Sequence, residues 1–147
     1  MKRSPINRVS SRQKIINECK VLLRKILVIK RGDRCEICER RTQQGLFHII
    51  RVGEKPRIQL LEANVLLACW QNCHFPWHHY GAGDPRTEAI QRRIIKLRGE
   101  DYRTKLLIIE KGMSKLTEFY LKMKRQQLRQ ELKGCSHEKE NKKTTIT

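Results

Sequence analysis

Two cysteine pairs and a spaced set of histidines are the residues of this chain with the most chemistry to offer. Cys35-x-x-Cys38 and Cys69-x-x-x-Cys73 supply four thiols at short spacings. Four thiolates so placed can close on one tetrahedral zinc. The first spacing is the standard knuckle and the second is one residue longer. Cys73 and His74 are adjacent, so spacing alone leaves open a set in which a nearby histidine replaces Cys69. Four buried free thiols are the plain alternative. The physical need for a metal is clear, because 33% of the residues are charged and only 5% aromatic. That leaves little apolar material to hold loops, and a bound zinc supplies folding free energy directly.

His74 and His78 are four residues apart, which on a helix sets them about 40° apart on one face. That spacing suits chelation of one divalent ion. His79 would point roughly 100° away from His78 and is the weaker ligand. Pro76 marks the first turn of a helix, which puts His74 just ahead of it. His48 lies in the β-prone run "LFHIIR"; a lone histidine on a strand is most simply a satisfied core or surface residue.

Composition points to the partner. Lys and Arg number 33 against 15 Asp and Glu, a net charge of +18. Such a chain repels itself and favours a polyanion, with nucleic acid ahead of an anionic membrane because no apolar anchor stands clear of a core. The apolar runs are too short to span a bilayer, and no uninterrupted apolar segment follows the basic N-terminus. Six cysteines without a secretion signal indicate a reducing compartment, a cytoplasm, and thiolates kept for metal.

The elements that must position these residues read as α+β. Residues 1–32 form a basic N-terminal helix unit, with residues 1–9 disordered and the helix running from about Ser10 to Lys30. Its apolar positions are Ile15, Ile16, Cys19, Leu22, Leu23, Ile26 and Leu27, at helical spacing. Gly32 stops it. The opposite face carries Lys14, Lys20, Arg24 and Lys25, either solvated or in contact with phosphate. Residues 33–83 hold the knuckles and a hairpin of strands 46–51 and 57–61, joined by "VGEKP". Residues 84–133 contain a helix from Asp84-Pro85 to about Leu97, then a long helix from Asp101 to Lys133. The latter carries a heptad seam of Tyr102, Leu106, Ile109, Met113, Leu116, Tyr120 and Met123, fit to pack back on the domain or to pair with a second copy as a homodimer. Residues 134–147 read as a mobile tail.

The order Cys-x-x-Cys, strand with His48, second strand, Asn64, apolar stretch, Cys73-His74 and helix with His78 resembles the HNH endonucleases, whose ββα-metal motif is wrapped by zinc knuckles in many members. The resemblance covers about residues 33 to 80. The segment is also similar to phage recombination nucleases of the NinG/Rap type, which have a basic helix leading into the first knuckle. The fold this implies is a small zinc-stabilised ββα-metal core flanked by the basic helix and the long C-terminal helices. The activity it implies is metal-dependent hydrolysis of DNA phosphodiesters, on recombination or branched intermediates, in a bacterial or phage-infected cell. By the same resemblance His48 is the general base, Asn64 ties the loop that holds it, and His74 and His78 bind a catalytic Mg²⁺ or Mn²⁺. Cys35, Cys38, Cys69 and Cys73 hold the structural zinc.

Phe47 departs from the pattern, since many HNH proteins have a metal-binding Asp or His there. A non-catalytic zinc-knuckle nucleic-acid-binding protein is therefore the second reading, and a regulatory protein that uses the heptad helix is the third. DNA contact is expected from Lys14, Arg24, Lys25, Arg31, Arg34 and Arg51. It should be electrostatic and salt-sensitive, as no base-reading helix stands out.

Overall fold

Ser10 opens the first helix by accepting the Gln13 amide on its hydroxyl at 3.2 Å, and Gly32 closes it with φ 90°. A residue without a Cβ adopts that backbone at least cost. The computed structural model describes residues 9–144, with side chains as far as Ser136. Most of the N-terminal segment expected to be disordered lies outside the described residues. Helix α1 spans Ser11–Arg31. Strand β1 is Gln44–His48 and β2 is Val65–Cys69. Four further helices follow: α2 Phe75–His79, α3 Pro85–Arg98, α4 Tyr102–Gly112 and α5 Glu118–Thr144.

The two strands pair antiparallel, with Gln44 opposite Cys69 and His48 opposite Val65. The second strand is thus not 57–61, as the β-prone residues there suggested. Pro56 has no N–H to give a ladder and starts a 3-10 turn, Pro56–Ile58. Gln59 then folds its side-chain amide back onto the Pro56 carbonyl at 3.0 Å. The true partner, "VLLAC", is buried at every position. Its residues split between two cores. Val65 and Leu67 join a cluster with Ile16, Cys19, Leu23, Leu27, Leu121 and Leu128. Leu66 and Ala68 join another with Phe47, Ile58, Ile90, Ile94 and Leu106. A strand covered on both faces has no solvent side, so its sequence shows no alternation.

The long helix expected from Asp101 to Lys133 is two helices. Gly112 ends α4, and Thr117 starts α5 as a side-chain cap, accepting the Tyr120 amide at 3.2 Å. Glycine favours a break and threonine a start. The heptad seam is therefore not one stripe. Leu106 and Leu116 are buried, whereas Ile109, Tyr120 and Met123 are exposed. Helix α5 instead turns Leu121 and Leu128 onto α1, where the Cys19 thiol faces the Leu121 carbonyl at 3.8 Å. Burying two leucines contributes about 4 kcal/mol. The tail expected from Gly134 onward is helical to Thr144. Leu132 and Cys135 extend the apolar side that packs on the core, which outweighs the one glycine between them. None of the described helices is long and apolar enough to cross a membrane.

Candidate metal centre and histidine cleft

The cysteine knuckle is fastened to the sheet before any metal is considered. Glu36 donates its amide to the Leu67 carbonyl at 2.8 Å, and its carboxylate accepts the Leu67 amide at 2.6 Å. Arg31 joins that carboxylate at 3.2 Å, reaches Glu62 at 3.0 Å, and donates to the Val65 carbonyl. These contacts draw α1, the knuckle and β2 into one frame. The other thiol pair comes from the end of β2 and the π-helical turn Trp70–His74.

All four thiols meet. The sulfurs of Cys35, Cys38, Cys69 and Cys73 lie within 4.8 Å of one another. Cys35 and Cys73 are 3.7 Å apart, and Cys38 and Cys69 are 3.5 Å apart. Four thiolates on one ion at about 2.3 Å stand about 3.8 Å from each other in a tetrahedron. These two separations are close to that edge, so the four sulfurs are grouped as a metal ion would need them, and Cys69 is a member of the set. Without a metal, the electrostatics favour the thiolate at Cys35 alone, and burial raises Cys38. Hydrogen bonding from Cys73, then the amides of Cys38 and Cys69, hold the Cys35 thiol down to about 4 against the effect of burial. Cys73 is pushed up, first by Cys35 and then by burial. Protons held on Cys38 and Cys73 are what a cation would displace.

The π turn separates neighbours in sequence. Cys73 is buried with the other thiols, while His74 lines a cleft on the other side. That cleft is an open one of about 840 Å³, lined by His48, His74 and His78 together with Lys20, Arg24 and Arg51. The His74 and His78 ring centres are 4.6 Å apart. His79 faces away and stacks on Phe75 at 4.2 Å.

His48 ends β1 and is buried, with Nε2 2.9 Å from the Gln59 carbonyl. A carbonyl only accepts, so Nε2 carries the proton and Nδ1 keeps its lone pair. Burial lowers the His48 imidazole to about 4, opposed by the Gln59 hydrogen bond and assisted by Lys20 and His78. His74 is likewise lowered to about 4, first by burial and then by its histidine neighbours. His78 is lowered by burial, Arg51 and His79. His48 and His74 are neutral near pH 7 and His78 is biased toward the neutral form, so each ring offers a nitrogen lone pair to a metal or to a proton in transit.

Asn64 ties the loop that carries the Gln59 carbonyl. Fully buried, it accepts the Ile50 amide at 2.8 Å and donates to the carbonyls of Ile50 at 3.1 Å and Ile58 at 3.4 Å. Asn64→Ala would leave the Ile50 amide buried without a partner, at a cost of about 2–4 kcal/mol. Urea denaturation should show this as a lower midpoint with an unchanged slope.

The basic residues divide. Lys14, Lys25 and Arg34 are exposed. Arg24 lines the cleft while donating to the Gln44 carbonyl at 2.6 Å, and Arg51 does so while donating to the Trp77 carbonyl at 2.6 Å. Arg31 is committed to the Glu36–Glu62 frame. Phe47 is fully buried, 5.7 Å from the ring of His74 and 6.3 Å from that of His78. Sequence reasoning missed the tethering roles of Glu36 and Gln59, which no local spacing announces. Compared with protein-family models, curated proteins and solved structures, the chain matches none.

Proposed function

We propose that this protein is a metal-dependent endonuclease that hydrolyses DNA phosphodiesters, with a structural zinc held by Cys35, Cys38, Cys69 and Cys73. The observation that carries the reading is the convergence of three histidines in one cleft lined by cations. Sulfur spacing and an all-thiolate donor set favour zinc in the structural site.

The chain's own groups account for most of the reaction. His48 Nδ1 takes the proton of an attacking water, while the Gln59 carbonyl keeps the ring oriented. Asn64 fixes the loop that presents that carbonyl. His74 and His78 would hold the catalytic ion, Mg²⁺ or Mn²⁺, which supplies charge to offset that on the phosphate and the leaving oxygen. Arg24 and Arg51 guide the backbone into the cleft, and exposed Lys14, Lys25 and Arg34 extend the basic surface.

A second reading is a zinc-knuckle DNA-binding protein without catalysis. It is favoured by Phe47, which occupies with an apolar ring the place beside His74 and His78 where a further ligand would help. A nicking assay separates the two. Wild-type protein with Mg²⁺ or Mn²⁺ should cut supercoiled plasmid, and linear, branched and single-stranded substrates should reveal any preference for recombination intermediates. Tight DNA binding with no cleavage under any divalent ion favours the second reading.

A further inference from the structure

Helix α1 presents a cation to the histidine cleft that nothing in the described residues neutralises. Lys20 and Arg24, one turn apart on α1, both line the cleft with His48, His74 and His78. Arg24 and Arg51 each spend part of their guanidinium on a backbone carbonyl. Lys20 makes no hydrogen bond or ion pair among the described residues, and burial alone lowers its pKa. The cleft's one acid, Glu54, is taken by Arg103.

A half-buried ammonium without a counter-charge lowers stability. It is a feature more readily explained by an anion that arrives than by the free fold. Its position is also well held. Leu23, Ile26 and Leu27 bury the next turns of α1 in the core, and the Arg24–Gln44 and Arg31–Glu36 contacts fix the helix against β1 and the knuckle. The ammonium is therefore carried on a rigid element. It stands on the wall formed by α1, whereas His74 and His78 come from the turn and helix after β2.

We infer that Lys20 is a phosphate-binding residue of the cleft, its ammonium taking a non-bridging oxygen of the DNA phosphate that lies against His48. The identity of the anion rests on the nuclease reading. With Phe47 in place of a ligand, the two imidazoles bring no negative charge to the ion and little else to orient the phosphate. A cation carried on α1 into the same cleft supplies both attraction and orientation. The basic helix is then part of the active site, and its other lysines are approach surface.

Lys20→Met keeps the apolar stem and removes the charge. Duplex DNA binding is measured by fluorescence anisotropy in Ca²⁺ across a salt series, and nicking is measured in Mg²⁺ or Mn²⁺. Loss of one phosphate contact should lower the slope of log affinity against log salt by about 0.9. Nicking should fall about 100-fold, the size of effect seen when one transition-state donor is removed. Lys20→Arg should restore most of the binding, and Lys111→Gln, an exposed charge on α4, should change neither quantity. The Tm of Lys20→Met should equal or exceed that of wild type, since an unpaired cation has been removed. Unchanged affinity and salt slope in Lys20→Met overturns the inference. So does a lowered Tm with zinc loss that Lys20→Arg shares, because that marks a structural lysine. Wild-type protein that binds DNA in a Lys20-dependent way but nicks nothing supports the phosphate contact and removes the nuclease reading alone.

Discussion

Protein purified from cells is expected to carry one zinc ion per chain, and Cys35→Ser or Cys73→Ser should abolish it. The four sulfurs come from the 35–38 knuckle and from the end of β2 with its π turn, which are 31 or more residues apart in sequence. In the apo protein nothing covalent joins these segments, and Cys35, Cys69 and Cys73 lie in the same buried cluster as Phe47, Ile90 and Ile94. Metal loss should therefore open that cluster together with the cleft above it. Structural zinc contributes on the order of 10 kcal/mol of apparent binding free energy near pH 7, comparable to the whole stability of a small domain. Chelation should eliminate the cooperative unfolding transition of this half or displace it far toward lower denaturant. The α1–α5 pair, held by Ile16, Cys19, Leu121 and Leu128, should keep much of its helical ellipticity. Cys19→Ala is the control: it trims the other core and should leave zinc content at one. Chelated protein that unfolds at the same denaturant concentration as the holo form would sink the structural role.

The second large effect is on catalysis. His48→Ala should lower plasmid nicking by about 10²–10⁴-fold, the usual contribution of a positioned proton acceptor. DNA affinity and zinc content should be unchanged, because the ring contacts neither the sulfur cluster nor the exposed lysines. The substitution leaves the Gln59 carbonyl without its donor, which costs about 1–3 kcal/mol. His48→Gln, which can still donate to that carbonyl, therefore serves as the variant with less loss of fold. Equal nicking by wild type and both variants would remove His48 from the mechanism. A parallel loss of nicking and DNA binding would assign it to the fold.

The sequence alone determined the chemistry available and several element ends. The pairs Cys35-x-x-Cys38 and Cys69-x-x-x-Cys73, Ser10 and Gly32 around α1, and Asp84-Pro85 before α3 act through local spacing, and local spacing is what a sequence records. That Cys69 and not a histidine completes the thiol set was decided by the fold. The sequence misplaced β2 and the long last helix for related reasons. Residues 57–61 are as apolar as a strand, but Pro56 and the side-chain bonds of Gln59 and Asn64 curl them into turns. "VLLAC" hides its strand nature because β2 is buried on both faces. Thr117 and Gly112 carried a local signal for the helix break, which a regular run of apolar residues masked. Only tertiary structure decided that Cys73 and His74 part company across one π turn, that Arg31 is bound within the frame, and that Lys20 shares a cleft with His48. These relations join residues up to 58 positions apart, from Lys20 on α1 to His78 on α2, and depend on how α1 seats against the sheet. That seating is set by two buried cores and a few ion pairs, whose partners no spacing along the chain can name.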